Sequence, residues 1–367
     1  MKITKANRIV FFTASLGTGG AERVISILTR HLAETGISAE IVLYYDSEPF
    51  YDIHPDVRIT YVERETQSKN LLKNIMWLRR YFKRNAYLVI SFLAQFNMVA
   101  LAAAFATGVP VIVADRNDPR HMPMQALLRT TRNLLYHLAD VVVVQTQHNK
   151  DYFPKALQKK CTIIYNPIDL AEKSELALRM DKKHRIVSVA RLMKQKNQLM
   201  LIEAFYQIHK EFPDYTLTIY GDGPYRDVLE NRIDELGLRE SVTLPGKVQN
   251  VFDCIADAEL FVLTSNFEGM PNALIEAMCL GLPVISTRVS GATDLITDGK
   301  NGLLTDVANT EQLTDAMRRM LADPELRQNC AIEACKLNDM LEVEKIIVQW
   351  ENCIERGKRS LDNGFTV

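Results

Sequence analysis

The most informative stretch of this chain is Asn266-Phe267-Glu268-Gly269-Met270-Pro271-Asn272-Ala273-Leu274-Ile275-Glu276. It follows the apolar run at residues 260–263, which predicts a buried strand, and it leads into an apolar segment that predicts a helix. A strand that turns through a glycine into a helix leaves backbone N–H groups directed at whatever lies above the turn. Those donors, with the partial positive charge of the helix N-terminus, suit a phosphate or a polyhydroxy group.

Two carboxylates border this turn. Glu268 precedes the predicted helix and Glu276 lies within it. Carboxylate oxygens accept hydrogen bonds from vicinal hydroxyl groups, such as those of a hexose or a ribose. The alternative is a pair of solvated surface glutamates beside a loop glycine, and the spacing alone leaves both interpretations open.

Short apolar runs alternate with helix-like segments along most of the chain, which is the pattern of βαβ units and parallel sheets. The pattern stops at Asn166-Pro167, a polar stretch at residues 172–183 predicts an interdomain connector, and the alternation then restarts. Strands are predicted at residues 8–13, 39–44, 57–62, 88–91, 109–114, 141–144 and 162–165, and again at 185–190, 217–220, 242–244, 260–263, 283–286 and 302–304. Helices are predicted in the first half at residues 21–34, 70–83, 98–106 and 124–138. We therefore expect an α/β fold with two Rossmann-like domains, residues 1–167 and 168–344.

The composition is that of a globular protein, with 367 residues of which 47% are apolar and 24% charged. No apolar run approaches the roughly 18 residues of a membrane span. The apolar residues 9–16 predict a buried strand rather than a signal peptide. The six cysteines are scattered, which favours reduced core thiols over disulfides or a zinc site. We expect a cytoplasmic protein.

Charge is divided unevenly along the chain. Residues 1–167 hold 21 Lys and Arg against 13 Asp and Glu, a net charge of +8, and the remainder holds 23 against 32, a net charge of −9. Residues 69–84 join six basic residues to an apolar side that includes Trp77, Tyr81 and Phe82. Such a helix suits the anionic inner face of a cell membrane. The alternative is a peripheral Rossmann helix whose basic residues lie in water.

Further motifs occur in order along nearly the whole chain. They are Gly17-Thr18-Gly19-Gly20-Ala21-Glu22, Val189-Ala190-Arg191-Leu192-Met193-Lys194-Gln195-Lys196-Asn197, Tyr220-Gly221-Asp222-Gly223-Pro224, Leu244-Pro245-Gly246-Lys247-Val248 and Ser290-Gly291-Ala292. Together with the pair of glutamates, they resemble the signature of retaining family-4 glycosyltransferases of the GT-B fold. The resemblance implies two Rossmann-like domains facing across a cleft, with a last helix at about residues 345–367 that crosses back to the first domain.

The resemblance also implies an activity. It predicts transfer of a hexose or an N-acetylhexosamine from a nucleotide sugar, expected to be UDP-linked, to a sugar acceptor. The first domain would bind the acceptor and the second the nucleotide sugar. The family's common use of polyprenyl-diphosphate sugars favours a lipid-linked acceptor in surface-polysaccharide or glycan biosynthesis. We expect no cofactor and no nucleic-acid partner.

Arg191 and Lys196 follow the first strand of the second domain, at the strand end where ligands of open parallel sheets bind. An arginine fork and a lysine charge neutralise a diphosphate as a sugar–phosphate bond breaks, although position alone leaves a solvated basic turn equally open. The resemblance implies catalytic roles for Arg191, Lys196 and Glu268. It implies substrate binding by Gly19, Gly20, Gly221, Val248, Gly269, Met270, Pro271, Asn272 and Glu276.

The sequence shows no acid/base or nucleophile constellation, and no GxSxG, HExxH or metal-binding DxD motif. The resemblance implies front-face displacement with retention and without a metal, in which the leaving phosphate takes the acceptor proton. Arg116 departs from the family pattern, because many members place a His near the reacting sugar there. Arginine is no base at neutral pH, so we expect Arg116 to bind substrate through a phosphate or an acceptor oxygen.

Two other classes of protein share features with this chain. A nucleotide-sugar 2-epimerase of GT-B architecture would add acid/base carboxylates or histidines, which the sequence does not identify. A silent sugar-nucleotide binding module would lose Arg191, Lys196 or the glutamates, all of which are present. A dinucleotide enzyme is disfavoured, because Glu22 stands where the third glycine of GxGxxG belongs.

Overall fold

A computed structural model describes residues 8–17, 19–168, 176–179, 181–248 and 250–362. The chain divides into two compact units. The first unit holds the described residues up to Pro167 together with the C-terminal segment that begins at Val343, and the second runs from Ile168 to Glu342.

The described part of the first unit contains a seven-stranded sheet in the order β3-β2-β1-β4-β5-β6-β7, and each pair of neighbours is parallel. Its strands are β1 (Arg8–Thr13), β2 (Ala39–Leu43), β3 (Arg58–Tyr61), β4 (Ala86–Phe92), β5 (Val111–Ala114), β6 (Val141–Val144) and β7 (Cys161–Ile163). Its helices are α1 (Gly20–Glu34), α2 (Val62–Thr66), α3 (Leu71–Asn85), α4 (Ala94–Ala104), α5 (Ala126–Leu135), α6 (Gln147–Tyr152) and α7 (Lys155–Gln158). A short 3-10 turn, Tyr136–Leu138, follows α5.

Apolar residues cover both faces of this sheet, as expected for parallel strands between two helical layers. One face packs against α1 and the C-terminal helix, through buried residues such as Leu28 and Trp350. The other face packs against α3 and α4, through residues such as Phe82 and Phe96. A helix remote in sequence therefore completes the core of the first unit.

The described part of the second unit contains a six-stranded parallel sheet in the order β10-β9-β8-β11-β12-β13. Its strands are β8 (Lys183–Val189), β9 (Thr216–Tyr220), β10 (Val242–Gly246), β11 (Ala258–Leu263), β12 (Val284–Thr287) and β13 (Leu303–Thr305). Its helices are α8 (Leu176–Arg179), α9 (Gln198–Glu211), α10 (Arg226–Glu235), α11 (Val251–Ile255), α12 (Asn272–Leu280), α13 (Ser290–Leu295), α14 (Thr310–Ala322), α15 (Pro324–Cys335) and α16 (Asn338–Leu341). The last helix, α17 (Val343–Asp362), belongs to the first unit.

The prediction of two parallel α/β sheets is confirmed. Three details of the prediction were wrong. Helix α4 begins four residues earlier than predicted, at Ala94, because Leu93 takes a positive φ of 73° that turns the chain directly from β4 into the helix. The segment at 124–138 is a shorter helix, α5, followed by the 3-10 turn. The predicted connector contains α8, which packs against α12, and Lys183 already begins β8, while residues 169–175 and 180 lie outside the described residues.

All six cysteines are free thiols, and all but Cys254 are buried. Among the helices of the described residues, none is both long and apolar enough to span a membrane.

Candidate functional site

The chain order of the second sheet reverses between the neighbouring strands β8 and β11. In an open parallel sheet, ligands bind outside the carboxyl ends of the strands at such a switch point. The loop after β8 carries Arg191 and Lys196, and the loop after β11 carries Glu268. The topology therefore brings the predicted catalytic residues of the second unit to one edge of one sheet.

Hydrogen bonds join these two loops directly. Gln195 Nε2 donates to the carbonyl oxygen of Phe267 at 2.8 Å, and the backbone N–H of Asn266 donates to the carbonyl of Gln195 at 2.8 Å. Thr264 Oγ1 donates to the carbonyl of Lys196 at 3.0 Å. Because backbone groups of both loops are paired with each other, the positions of the side chains that they carry are coupled.

Lys196 and Glu268 form an ion pair between Nζ and Oε1. Glu268 is buried, and Ser265 Oγ donates to the same carboxylate oxygen at 2.6 Å. The carbonyl of Ser265 in turn accepts from Thr287 Oγ1, at the end of β12, at 2.6 Å. A lysine and a carboxylate held in this way present one cation that can exchange its partner for an incoming anion.

The side chain of Arg191 is exposed, while its carbonyl accepts from Gln198 Nε2 at 3.0 Å. Its loop packs closely against the next strand end. A Cβ placed on Gly221 would lie 1.9 Å from the carbonyl oxygen of Ala190, and one on Gly223 would lie 2.3 Å from that of Leu192. The glycines of this predicted motif therefore serve the contact between two loops, and Gly221 also donates its N–H to the carbonyl of Gly246 at 2.8 Å.

The segment before α12 packs against the start of α13. Gly269, Met270 and Pro271 are buried, and Asn272, the first residue of α12, is half-buried. A Cβ on Gly291 would lie 2.5 Å from Pro271 Cδ and 2.7 Å from the carbonyl oxygen of Gly269. The predicted substrate-binding turn is therefore a packed structure rather than a loose loop.

Two other predicted contacts of the second unit lie near this edge in the fold. Glu276 is half-buried in the second turn of α12. Val248 is half-buried just after β10, and the next residue, Gln249, lies outside the described residues.

The glycine motif of the first unit forms the start of α1. Gly19 is the N-cap residue in an extended conformation, Gly20 begins the helix, and Thr18 lies outside the described residues. A Cβ on Gly19 would lie 2.2 Å from Glu22 Oε2, so the side chain of Glu22 folds back over the helix start.

Arg116 follows β5 and is only 8% exposed. Its Nη1 donates to Asn166 Oδ1 at 3.0 Å, and its guanidinium lies 5.2 Å from the ring centre of Phe92 and 5.3 Å from that of Trp350. Nε and Nη2 have no hydrogen-bond partner among the described residues. Burial lowers the pKa of Arg116 to about 9, against the opposing effect of Asp115.

Nε and Nη2 share one edge of the planar guanidinium, the edge that binds a carboxylate or phosphate through two parallel hydrogen bonds. The geometry therefore suits an anion. Burial also raises the pKa of the neighbouring Asp115 carboxyl, although Arg132 and Tyr136 oppose this shift.

Sequence reasoning missed the residues that hold the predicted ones in place. Ser265, Gln195 and Thr287 support the lysine–glutamate pair, and Asn166 and Trp350 hold Arg116. Gln195 and Ser265 could have been found from their positions in the sequence. Gln195 lies within the basic motif, and Ser265 lies between the strand and Glu268. Trp350 carried no such signal, since it is remote in sequence from Arg116. Within the described residues, no group of three or more His, Cys, Asp and Glu side chains is arranged to hold a metal ion.

Two family models match the chain. The model described as glycosyl transferases group 1 matches residues 170–337, and the model described as glycosyltransferase family 4 matches residues 18–172. The two matches therefore cover one structural unit each, apart from α17.

Two similar proteins come from Campylobacter jejuni. One is named N-acetylgalactosamine-N,N'-diacetylbacillosaminyl-diphospho-undecaprenol 4-alpha-N-acetylgalactosaminyltransferase; it is 32% identical over 341 residues, which cover 88% of this chain and 92% of that protein. The other is named GalNAc-alpha-(1->4)-GalNAc-alpha-(1->3)-diNAcBac-PP-undecaprenol alpha-1,4-N-acetyl-D-galactosaminyltransferase. It is 26% identical over 362 residues, which cover 96% of this chain and 99% of that protein.

Among solved structures, the chain is similar to Anabaena HepE in complex with UDP. The TM-score is 0.80, the identity is 20%, and the match covers 95% of this chain and 99% of that one. At this identity the likeness concerns the fold, which is that of GT-B proteins.

Proposed function

The chain belongs to glycosyltransferase family 4 and has the GT-B fold, and from this premise we propose a specific reaction. The protein moves a hexose or N-acetylhexosamine from a UDP-sugar to a lipid-linked sugar acceptor, with retention of configuration and without a metal ion. The observation that carries the proposal is the Lys196–Glu268 pair at the switch point of the second sheet, beside the exposed Arg191. The names of both Campylobacter relatives, which describe transfer to undecaprenol-linked sugars, support the acceptor class.

Lys196 and Arg191 are proposed to bind the diphosphate of the donor. When the bond between the anomeric carbon and the phosphate oxygen breaks, negative charge grows on the departing diphosphate, and fixed cations stabilise it. Lys196 leaves Glu268 for the diphosphate, and Glu268 then accepts hydrogen bonds from hydroxyl groups of the donor sugar. The ion pair thus keeps both groups in place until the donor arrives.

The acceptor oxygen attacks the anomeric carbon from the side on which the diphosphate leaves. The new carbon–oxygen bond forms on that face, and the acceptor proton passes to an oxygen of the departing phosphate. No protein side chain has to act as a base, which agrees with the chemistry of Arg191, Lys196 and Arg116. The protein contributes positioning and electrostatic stabilisation.

Glu276 is proposed to accept hydrogen bonds from the ribose hydroxyls, and the backbone around Val248 to bind the base. Gly269 to Asn272 and Gly221 line the phosphate and sugar positions. In the first unit, Gly19, Gly20 and Arg116 are proposed to bind the acceptor or the donor phosphates, with the unpaired edge of Arg116 as the anion contact.

Calorimetry with UDP, GDP and NAD in the presence of a chelator tests the donor. We expect the tightest binding for UDP, unchanged by magnesium, and a preference for NAD would disprove the proposal. Transfer from a panel of UDP-sugars to a lipid-linked acceptor, followed by NMR of the anomeric proton, tests retention. Epimerised nucleotide sugar as the product would favour the 2-epimerase, and UDP binding without turnover would favour a silent module.

The basic segment at residues 69–84 corresponds to α3, whose N-cap is Asn70. Leu72 and Met76 are exposed, at 72% and 54%, beside a groove of about 630 Å³ whose lining includes Lys73, Trp77 and Arg80. We infer that α3 lies against the anionic headgroups of the membrane that carries the acceptor. The protein would then act as a peripheral protein on the inner face of the cell membrane.

Co-sedimentation with anionic and neutral vesicles tests this contact. A variant with Lys73, Arg79, Arg80 and Lys83 all changed to alanine should lose most of its binding to anionic vesicles at low salt, because each cation near such a surface contributes about 1 kcal/mol. A wild-type protein that ignores anionic vesicles at low salt would contradict the membrane contact but not the transferase reaction.

A further inference from the structure

Helix α5 is oriented in an unusual way, with its most buried side chain charged and several of its leucines in water. Arg132 is fully buried and donates to the carbonyls of Met122 at 2.6 Å and Pro119 at 3.0 Å. On the other side of the helix, Leu127 is 76% exposed and Leu134 is 71% exposed. Arg132 therefore ties α5 to the loop before it, Leu135 packs against the core, and part of the apolar surface of the helix is left outside the core.

Four exposed apolar residues lie in or next to α5. Leu127 and Leu134 share one face of the helix, with Thr131 between them at spacings of four and three residues. Met124 lies just before the helix, and Leu138 ends the 3-10 turn that follows it. Met124 is 74% exposed and Leu138 is 46% exposed. We call Met124, Leu127, Leu134 and Leu138 the α5 stripe.

The α5 stripe belongs to the same helical layer as α3. Helix α4 packs against both α3 and α5. Phe105, at the end of α4, is 59% exposed, and its carbonyl accepts a hydrogen bond from Arg79 of α3. Phe105 and Leu138 also line one apolar recess of about 270 Å³. Of the sixteen large hydrophobic side chains that are exposed in the described residues, eight belong to this layer: Leu71, Leu72, Met76, Phe105, Met124, Leu127, Leu134 and Leu138.

The charge of this layer is mostly positive. Residues 66–139 contain two carboxylates, Asp115 and Asp118, and both are buried. The same stretch contains ten Lys and Arg, of which all but Arg116 and Arg132 retain exposed or half-exposed side chains. Glu65 and Asp140 lie at the two ends of this stretch; Glu65 lines the groove beside α3, and Asp140 lines the recess at Phe105. The surface therefore combines large apolar side chains with cations.

We propose that the α5 stripe and Phe105 insert into the headgroup–acyl boundary of an anionic lipid bilayer. This contact is separate from that of α3, which lies on the headgroups, and the inference rests on the proposed membrane-borne acceptor. An apolar stripe flanked by cations is the composition that binds such an interface. A symmetric dimer through the same face is disfavoured, because it would place the excess cations of one copy against those of the other.

The test compares the full-length protein with a Leu127→Gln/Leu134→Gln variant. Vesicles of phosphatidylglycerol and phosphatidylcholine in equal parts are used without donor or acceptor. The matched control is Val228→Gln/Ile332→Gln, which changes two exposed apolar residues of the second unit, at 41% and 45% exposure. Binding is measured by co-sedimentation at low salt and in about 1 M salt, where the screening length is only about 3 Å.

We expect wild type and the control to keep a salt-resistant fraction on the vesicles, because apolar insertion is not screened. The stripe variant should partition at least roughly tenfold less in high salt, while the α3 quadruple variant loses mainly the low-salt binding. Equal high-salt partitioning of wild type and the stripe variant would overturn the proposal. So would a solution dimer of wild type that the stripe variant dissociates without any change in vesicle binding.

A second measurement does not depend on how the double variant folds. An environment-sensitive fluorophore on Leu134→Cys should shift to shorter wavelength when vesicles are added, and the same fluorophore on Val228→Cys should not. No shift at position 134 would also overturn the proposal. UDP calorimetry on the same samples tests the proposed reaction separately from the lipid contact. Absence of UDP binding by the wild-type protein would contradict the proposed reaction and leave the lipid contact intact.

Discussion

The lysine and glutamate at the switch point illustrate how single residues prepare this site. Glu268 is buried, and a buried carboxylate needs a cation and hydrogen bonds to remain charged. Lys196 and Ser265 supply them. The same lysine is the cation that a diphosphate would attract, so the pair is both a structural contact and the proposed reactive arrangement.

Replacing Lys196 with alanine should lower kcat by roughly 10²-fold, because a fixed donor to the developing anion is lost. Initial rates of UDP release with a saturating acceptor measure this effect. The control is Lys194→Ala, which removes an exposed lysine from the same turn and should keep activity close to wild type. Equal loss in both variants would show that general basicity of the turn matters rather than the paired lysine.

The two glutamates should affect different steps. Glu276→Ala should weaken UDP binding by about tenfold or more, as loss of a charged hydrogen-bond acceptor does. Glu268→Gln should leave UDP affinity nearly unchanged and lower turnover with the complete UDP-sugar. Calorimetry with UDP and steady-state kinetics separate the two effects, and the reverse assignment would contradict the proposed roles.

Burial of the charged Arg116 side chain is expected to lower the stability of the protein. Two of its nitrogen atoms are buried without a partner among the described residues, and burial lowers its pKa to about 9. Arg116→Met should therefore raise the free energy of unfolding by about 1 kcal/mol or more, because methionine fills the space between Phe92 and Trp350 without an unpaired charge.

The same variant should lose most of its transferase activity. Chemical denaturation and transfer rates, measured together, check the two expectations. A variant that is both less stable and fully active would show that Arg116 is structural.

At the scale of elements, loops from neighbouring strands pack against each other through glycines. Gly221 has a φ of +131°, and a Cβ there would lie 1.9 Å from the carbonyl oxygen of Ala190. The positive φ favours glycine because other residues would be strained there. The close approach favours glycine because a Cβ would clash with backbone atoms that cannot move freely.

Gly221→Ala should therefore displace the loop that carries Arg191 and reduce both stability and UDP affinity. Gly237→Ala isolates the backbone strain, because Gly237 has a φ of +69° and nothing within 4 Å of its Cβ position. Gly237→Ala should cost about 1 kcal/mol and leave UDP affinity unchanged, whereas Gly221→Ala should cost more. Similar affinities for UDP in both variants would mean that the loop contact does not position the site.

At the scale of the whole molecule, α17 returns the end of the chain to the first unit. Trp350 is fully buried in that core, while Val348 on the same helix is 54% exposed. The first sheet therefore depends on residues that lie far from it in the sequence.

Trp350→Ala should destabilise the first unit by about 3–5 kcal/mol, the usual cost of emptying a large aromatic site. Hydrogen exchange of the backbone amides of β4 reports this unit separately from the second one. Val348→Ala should leave that exchange unchanged. Equal protection of β4 in both variants would show that α17 is not needed for the first core.

The fold class and the family could be predicted from the amino-acid sequence alone. The spacing of apolar residues along the chain reflects local secondary structure. Strands such as β1 and β6 were therefore predicted at their observed bounds. The glycine and glutamate motifs lie close together in the chain, which makes them readable without a structure. The ends of α4 and α5 were predicted less well, because Leu93 takes an unexpected positive φ and Leu127 and Leu134 of α5 do not face the core.

Contacts between residues that are distant in the sequence became visible only in the folded protein. The pairing of Lys196 with Glu268 requires β8 and β11 to be neighbours, and the placement of Trp350 beside Arg116 requires α17 to return to the first sheet. The tertiary structure also turns Arg132 of α5 inward and leaves Leu127 and Leu134 exposed, whereas an amphipathic pattern alone would predict the opposite. The physical reason is that periodicity shows which residues share a face, whereas sheet order and the available buried partners determine what that face meets.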